Sequence, residues 1–357
     1  MDETTRLLKE LTEAHGVPGY ETEVRALLRD YFEELGNVTQ DKLGSLICYQ
    51  AGENGGPRVM LVGHMDEIGF MVQHITEKGF IKFLQLGGWW DQVLLGHRVI
   101  IKTHQGDVVG VIGAKPPHLL DAEERDKVVK KEDMFIDIGA TTREEVAAAG
   151  VRLGDPIVPQ GEFVVLANPR TFLSKAFDNR IGCAIVVDVL RTVKEGALHP
   201  NELYGVATVM EEVGLRGATT SARSVDPDVA IVLESDIAGD VPNIKDEKNN
   251  IKIGSGPSVL IYDVRMIPNL KLRDLIVDTA AELDIPLQFS AIKGGATDGG
   301  AIHLHGTGVP TVVVGVPARH IHSHSAIIHR DDYENAVKLV TALVGKLDAD
   351  TVAELTR

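Results

Sequence analysis

Three apolar runs in this sequence each lead into acidic residues or a histidine. The runs at 206–210, 59–62 and 229–233 are followed by Glu211 and Glu212, by His64 and Asp66, and by Glu234 and Asp236. Such runs predict central strands of an α/β sheet. Functional groups of open α/β folds gather beyond the carboxyl ends of the strands, so we expect these side chains to share one crevice. Since strand side chains alternate, Glu211 and Glu212 should diverge, one to bind a metal and the other to move a proton.

The sequence changes character between about Gly69 and about Val165. Short apolar segments broken by Gly, Pro and Asp follow one another there: FMVQHI, GFIKFLQL, HRVIIKTH, DVVGVIGAK, MFIDIG and EFVVLA, with one helical segment, REEVAAAG. This pattern predicts a mostly β insertion, a small barrel or sandwich. Helices and strands alternate on both sides of it, so we predict an α/β domain from residues 1–68 and 166–357, interrupted by a β insertion domain at 69–165.

Composition excludes several classes of partner. The formal net charge of −16 at pH 7 argues against nucleic acid or an anionic membrane surface as a partner. The opening MDETTRLLKELTEAHG lacks the features of a signal peptide, and no apolar run approaches transmembrane length, so we expect a cytoplasmic protein. Two cysteines, Cys48 and Cys183, are too few for a disulfide framework or a cysteine-based zinc site, and we expect both to be buried.

Asp, Glu and His without Cys form a ligand set that suits zinc, cobalt or manganese. The candidate ligands are His64, Asp178 in KAFDNR, Glu212, Glu234 and one histidine of RHIHSHS. A single strand-end carboxylate is more often a helix cap or a solvated loop residue, so the prediction depends on their joint placement. Asp66 is placed to accept a hydrogen bond from a metal-binding His64, or it simply caps the following turn.

Six segments of the sequence resemble the M42 metallo-aminopeptidases, the family of glutamyl aminopeptidases and of large tetrahedral aminopeptidase assemblies. They are HMDEIGF at 64–70, AFDNRIGCA at 176–184, EEVGLRGA at 211–218, AGDVP at 238–242, GGATDGG at 294–300 and IHS at 321–323. They occur in the family's order across nearly the whole chain. The β insertion also lies where that family carries its second domain.

This resemblance implies a di-metal peptidase domain with a mixed central sheet flanked by helices, and two divalent cations per subunit, with zinc favoured and cobalt or manganese as alternatives. Asp178 would bridge the cations, with His64 and Glu234 on one, Glu212 and His322 on the other, and Glu211 as the general acid/base. Asp66 is the second candidate catalytic residue, as the partner of His64. Gly295, Thr297 and Asp298 of the glycine-rich segment would contact substrate. Asp236 competes with Glu234, and His320 and His324 compete with His322 if HxHxH is extended.

The resemblance also implies peptide substrates and a homo-oligomer, most simply a dodecamer whose β insertions make subunit contacts. Other functions stay open at this point. A metal-dependent deacylase or carboxypeptidase would share the metals but not the substrate pocket, and a non-catalytic binding protein would have lost a ligand or Glu211. A glycoside hydrolase is disfavoured because adjacent carboxylates do not flank a sugar bond from two faces. Serine or cysteine hydrolysis is disfavoured because GxSxG is absent and Cys183 lies in an apolar run.

Overall fold

The structure is a computed structural model that describes residues 1–52, 55–196 and 199–357. Its helices are α1 (Glu3–Glu13), α2 (Thr22–Glu33), α3 (Ala122–Arg125), α4 (Arg143–Ala148), α5 (Phe177–Lys194), α6 (Arg216–Val225), α7 (Leu270–Glu282), α8 (Gly299–Ile302), α9 (Arg330–Lys346) and α10 (Ala349–Glu354). Its strands are β1 (Asn37–Gln40), β2 (Leu46–Gln50), β3 (Arg58–His64), β4 (Gly69–Ile75), β5 (Ile81–Leu86), β6 (Arg98–Thr103), β7 (Gly106–Gly113), β8 (Phe135–Asp137), β9 (Pro156–Pro159), β10 (Val164–Val165), β11 (Thr171–Ser174), β12 (Glu202–Thr208), β13 (Val229–Ile237), β14 (Ser258–Tyr262), β15 (Gln288–Ala291), β16 (Thr311–Arg319) and β17 (Ala326–His329).

A large mixed sheet organises the α/β part of the molecule. Its strand order is β1-β2-β12-β3-β13-β16-β17-β11-β10, with β14 pairing with β16 and with β15. The central strands β12, β3, β13 and β16 are parallel, while β2, β14 and β17 join them antiparallel. The predicted α/β fold with a mixed central sheet is therefore confirmed. The carboxyl ends of four parallel strands now lie along one edge.

Helices cover both faces of this sheet, and the sequence of β13 shows why. Val229, Ile231 and Leu233 face a core that contains α1, α2, α5, α7 and α9, whereas Ala230 and Val232 face a core that contains α6 and α8. A strand buried on both faces must be apolar at every position, because each buried Val, Leu or Ile side chain contributes about 1.5–3 kcal/mol. The continuous apolar runs of the sequence follow from this arrangement.

Helix α5 lies unusually close to strand β3 at a pair of glycines. A Cβ atom at Gly63 would lie 2.5 Å from the carbonyl carbon of Gly182, so any side chain there would push the helix away. Gly63 precedes the last residue of β3, His64, and Gly182 lies in the second turn of α5. The close approach therefore brings the start of α5, with Asp178, to the end of β3.

The insertion is a small closed barrel of order β4-β5-β8-β7-β6-β9, which confirms the predicted mostly β unit. Its core is apolar and includes Phe70, which stacks on Trp89 with ring centroids 4.9 Å apart. The sixth strand predicted for it was wrong, because Val164–Val165 pairs with β11 in the large sheet. The barrel is closed instead by β9, which pairs with both β4 and β6 and leaves no free edge for another strand. Helix α3 was also missed there.

Both cysteines are buried, as predicted. In the part of the chain that the structure describes, we find no helix with the length and apolar character that crossing a membrane requires.

Candidate metal centre

The predicted ligands lie at the carboxyl edge of the central sheet, but the chain reaches them by turns as well as by strands. Strand β12 ends at Thr208, so the prediction that Val209 and Met210 belong to it was wrong. Met210 has φ 55°, a left-handed conformation that no strand residue adopts. Glu211 and Glu212 therefore lie in a turn beyond the strand, which folds back over the sheet edge and leads into α6.

Two hydrogen bonds from one carboxylate hold that turn. Asp66, which is fully buried, accepts from the backbone N–H of Glu211 through Oδ1 and from that of Glu212 through Oδ2, both at 3.0 Å. The same carboxylate lies 3.4 Å from Nδ1 of His64, whose ring also lies 3.0 Å from the carbonyl oxygen of Asp66. Asp66 thus contacts His64 and also holds the backbone of Glu211 and Glu212.

His64, Asp178 and Glu234 form one group of potential ligands. Nε2 of His64 lies 3.4 Å from Oδ1 of Asp178 and 3.8 Å from Oε2 of Glu234. The same nitrogen lies 3.8 Å from Oε2 of Glu211. Asp178 is presented by the irregular start of α5, where Asn179 binds the carbonyl oxygen of Leu233 at 2.8 Å and fixes the helix to β13.

Asp178, Glu212 and His322 form a second group that shares Asp178 with the first. Nε2 of His322 lies 3.2 Å from Oδ2 of Asp178 and 3.5 Å from Oε1 of Glu212. The two oxygens of Asp178 therefore face the two imidazoles separately. His64, Glu211 and Glu212 form a third, overlapping group. In all three groups the potential ligand atoms lie within 4.8 Å of one another.

Asp236 lies on the same face of β13 as Glu234 but takes part in a different contact. Both residues lie within β13, so the prediction that they follow the strand was wrong. Asp236 accepts a hydrogen bond from the hydroxyl of Ser258 on β14, which lies on the far side of β16. Glu234 faces His64, and Asp236 is absent from the groups described above.

The three histidines after β16 do not alternate along an extended segment, which corrects the HxHxH interpretation. His320 and His322 have φ values of 61° and 56°, so the backbone coils and each ring takes its own direction. His320 is exposed, and His322 joins the second group. His324 is buried, only 3 % exposed, with its ring 4.0 Å from that of His97 and 5.2 Å from that of Trp89. It contacts the barrel and is not a surface residue.

Burial and mutual charge set the ionisation of the clustered groups. Burial raises the pKa of Glu211, Glu212 and Glu234, only partly opposed by His64 and, for Glu212, by its hydrogen bond from His322. Burial also disfavours the charged form of Asp178, but hydrogen bonds from both histidines outweigh it and hold that pKa well below its usual range. In His322 burial is outweighed by Asp178 and Glu212, which raise its pKa to about 11.

The glycine-rich segment contacts the site through the end of strand β12. Asp298 is buried, accepts a hydrogen bond from Thr208 at the end of β12, and has a pKa raised by burial to about 6. Thr297 is also buried and donates to Asp263 at 3.1 Å. The carbonyl oxygen of Gly295 accepts from the backbone N–H of Val264. Beside the two groups of ligands, a small cleft is lined by residues that include Ile68, Phe177 and His322.

A buried ion cluster that sequence reasoning missed lies directly behind the site. Glu67 accepts from Lys175 at 2.5 Å and from Arg180 at 3.3 Å, and all three side chains are at most 1 % exposed. Arg180 also donates to four backbone carbonyls, those of Leu11, Ala14, Gly16 and Met65. Burial, partly opposed by Glu67, lowers the pKa of Lys175 to about 8. The sequence does carry a signal for this cluster, because its three charged residues lie within the otherwise largely apolar segments MDEIGF and KAFDNR.

The barrel contributes one wall of the site. A Cβ atom at Gly87 would lie 3.0 Å from Oε2 of Glu212, and one at Gly88 would lie 3.1 Å from Nδ1 of His322. Side chains at these positions would crowd both residues, so the loop after β5 needs glycine in order to approach them. Trp89 follows and anchors the loop by donating to the carbonyl oxygen of Gly69 at 3.2 Å.

The donor set of this centre fits divalent cations. Six carboxylates converge with two imidazoles, from Asp66, Asp178, Glu211, Glu212, Glu234 and Asp298 and from His64 and His322. So many buried carboxylates repel one another unless cations compensate them, and imidazole with carboxylate is the ligand chemistry of zinc, cobalt and manganese.

Comparison with known proteins agrees with this geometry. The chain matches the family model described as M42 glutamyl aminopeptidase over residues 44–339, and a second model, AMPT, over residues 2–28. It belongs to the M42 peptidase family. The resemblance drawn from the six sequence segments is confirmed, and membership of this family makes the protein a peptide hydrolase.

Relatives of this M42 peptidase match it along nearly its whole length. The FrvX protein of Escherichia coli K12 is 45 % identical over 348 residues, which is 97 % of this chain and 96 % of FrvX. The crystal structure of a TET aminopeptidase from a marine sediment Thaumarchaeota archaeon has a TM-score of 0.97, with 49 % identity and 99 % of each chain covered. The Pyrococcus horikoshii TET1 peptidase, described as assembling into a tetrahedron or a large octahedral shell, has a TM-score of 0.87 at 30 % identity, with 97 % of this chain and 100 % of that one covered.

Proposed function

We propose that this M42 peptidase is a co-catalytic di-metal aminopeptidase that removes N-terminal residues from peptides. The observation that carries the proposal is the position of Asp178, whose two carboxylate oxygens face His64 and His322 at 3.4 and 3.2 Å. A carboxylate held in this way is suited to bridging two cations. His64 and Glu234 would complete the protein ligands of one cation, and Glu212 and His322 those of the other.

Bound divalent cations would polarise the scissile carbonyl and lower the pKa of a water molecule, and zinc is the metal that we favour. Glu211 is adjacent to a ligand, and its carboxylate faces the same centre, 3.8 Å from His64. Its role is to take the proton of the attacking water and return it to the leaving amine. Burial raises the pKa of Glu211, the direction that helps a carboxyl group to accept a proton from water and to donate it again.

The charge of the site favours a substrate with a free amino terminus. Six carboxylates surround it, so negative charge remains after two divalent cations are counted, and a protonated α-amino group is attracted to such a site. A deacylase acting on blocked amines would gain nothing from this excess. We place the substrate beside Phe177 and His322. Contacts from Gly295, Thr297 and Asp298 to the substrate stay a prediction of the resemblance.

Metal analysis combined with a substrate panel tests this function. The purified protein should contain two divalent cations per chain and cleave short peptides with a free amino terminus, but not their N-acetylated forms. Glu211→Gln should keep both cations and lose about 10²–10⁴-fold in kcat, the usual size of a general acid/base contribution. Cleavage confined to N-blocked substrates would contradict the aminopeptidase, and a single cation per chain would contradict the co-catalytic pair.

We also propose that the chain forms a homo-oligomer of twelve subunits that admits peptides rather than folded proteins. Apolar side chains on the barrel support subunit contacts, since Val109, Val111 and Leu119 are 55 %, 40 % and 70 % exposed. The protein should sediment far above the 38.6 kDa of one chain. Polar substitution of Val109 and Val111 should release smaller species. A monomer with full peptidase activity would overturn the assembly while leaving the metal chemistry untouched.

A further inference from the structure

The turn that carries Glu211 and Glu212 is held by carboxylates from two distant parts of the chain. Three consecutive backbone N–H groups, those of Met210, Glu211 and Glu212, each donate to a buried carboxylate oxygen. Asp66 receives two of them. The third, from Met210, is received at 3.1 Å by Oε1 of Glu21, which lies at the start of helix α2. Glu21 and Met210 are 189 residues apart in sequence.

The side chain of Glu21 is held in this position and does not cap helix α2, although its backbone carbonyl begins that helix by accepting from Arg25. Its side chain is only 2 % exposed, although it lies at the N-cap of α2, and it makes no capping hydrogen bond to that helix. Oε1 accepts a second hydrogen bond, at 2.8 Å, from the backbone N–H of Gly19 in the preceding loop. The carboxylate therefore joins the loop before α2 to the turn after β12.

The turn needs such a partner at Met210 because of its backbone conformation. Met210 has φ 55°, which is disfavoured for any residue with a side chain and persists only where the surroundings enforce it. Its N–H points away from the sheet ladder, since β12 ends at Thr208. Without an acceptor this partly buried N–H would lose its hydrogen-bond partner in the protein, and rotation of Met210 toward an ordinary conformation would also relieve the disfavoured φ.

Such a rotation would move the residue that follows. Glu211 is attached directly to Met210, and its carboxylate must stay beside His64, from which it now lies 3.8 Å away. Asp66 accepts from the N–H of Glu211 but makes no hydrogen bond to the N–H of Met210, the residue before it. The carbonyl oxygens of Val209 and Met210 accept from the backbone N–H groups of Gly217 and Arg216 at 2.9 and 3.2 Å, and Glu21 supplies the acceptor for the N–H of Met210.

We propose that Glu21 is a positioning residue for Glu211, acting through the backbone of Met210. The inference rests on the proposed function, in which Glu211 transfers the proton. It gives the N-terminal helical segment a part in proton transfer, although none of its side chains faces the cleft. This role requires a side chain long enough to bring an acceptor atom to the N–H of Met210, and it does not require negative charge.

Two conservative substitutions separate reach from charge. Glu21→Gln keeps the length and an acceptor oxygen but removes the charge. Glu21→Asp keeps the charge and is a good N-cap for α2, but is one methylene too short to reach Met210. We expect Glu21→Gln to stay within about threefold of wild-type kcat, and Glu21→Asp to lose about 10–100-fold with KM changed less than about threefold, since displacing a catalytic group by about 1 Å costs up to about 100-fold. Glu33→Ala, an exposed carboxylate of the same helix, is the matched control and should leave kcat unchanged.

Amide hydrogen exchange of the metal-free protein provides a readout that does not depend on activity. The peptide that contains Met210 should exchange faster in Glu21→Asp than in the wild type, and at the wild-type rate in Glu21→Gln. Wild-type kcat and exchange in Glu21→Asp would overturn the proposal, as would equal losses in both variants, because charge would then be the cause. Glu211→Gln is assayed in parallel. Full activity there would refute the proposed function itself, whereas loss there with an active Glu21→Asp would refute only the role of Glu21.

Discussion

The two halves of the candidate metal centre are supported in different ways. His64 ends a central strand, and its side chain is 2 % exposed and contacts Asp66. Arg180 binds the carbonyl oxygen of the next residue, Met65, and pairs with Glu67 in the same buried region. His322 follows β16 in a coiled loop, and its side chain is 39 % exposed. The support of that loop includes ring stacking against the barrel. Among the described residues, the polar contacts named for the sheet half come from the α/β part of the chain, whereas the loop half also contacts the barrel.

Disrupting the polar support of the sheet half should have the largest effect. Arg180→Ala removes a buried cation that binds four backbone carbonyls and leaves Lys175 as the remaining cation beside Glu67. We expect a loss of about 3–5 kcal/mol in the free energy of unfolding, measured by chemical denaturation, as for other buried ion pairs that lose one partner. Arg191→Ala, a partly exposed ion pair on the same helix, should cost no more than about 1 kcal/mol. Equal losses of unfolding free energy in the two variants would show that the buried contacts of Arg180 stabilise the fold no more than a partly exposed ion pair does.

Cation titration should separate the two halves. His64→Ala should weaken binding of one cation, and His322→Ala binding of the other, each by at least about 100-fold, because the loss of even an outer partner of a ligand costs 10–100-fold. Asp178→Asn should weaken both, since its two oxygens face different imidazoles. Isothermal titration of the metal-free variants measures the two affinities. A result in which His322→Ala affects both cations equally would remove the distinction between the halves.

The buried ring of His324 makes the loop half sensitive to acid. Neither of its ring nitrogens has a hydrogen-bond partner among the described residues, and burial lowers its pKa to about 3. The folded pKa lies below the ordinary value of 6.5, so this group destabilises the fold as pH falls below 6.5, where only the unfolded chain takes up the proton. At about pH 5 the loss should reach about 2 kcal/mol, at about 1.4 kcal/mol per unit. His324→Phe should remove that part of the pH dependence, measured as unfolding free energy at several pH values; an unchanged slope would contradict it.

Loss of the stacking contact should have the smallest effect. His324→Ala removes the ring that contacts His97 and Trp89, and should weaken the cation beside His322 by up to about tenfold, since an aromatic pair contributes about 0.5–1.5 kcal/mol. His324→Phe keeps a ring and should keep that affinity. His97→Ala tests the same contact from the barrel side. If all three variants bind both cations as the wild type does, the barrel does not support the loop half.

Sequence alone predicted the parts of this protein that depend on local pattern. Continuous apolar runs predicted the central strands β3, β13 and β16. Helical periodicity predicted α5 and α9. Both signals arise because the residues on a buried face of an element are apolar, and their spacing follows the geometry of that element. The change in texture near Gly69 predicted the barrel. Residue type and order identified the potential ligands and the family before any geometry was known.

Tertiary structure decided what depends on distant residues. Val209 and Met210 are as apolar as the strand before them, yet Glu21 and Asp66, 189 and about 145 positions away, hold a left-handed turn there. The alternation of HxHxH predicted an extended segment, but the coiled backbone leaves His320 exposed and buries His324 against the barrel. Periodicity reports which face of an element is buried. It does not report which partner meets that face, so a disfavoured backbone angle or an unpaired buried ring becomes stable only through contacts that the folded chain supplies.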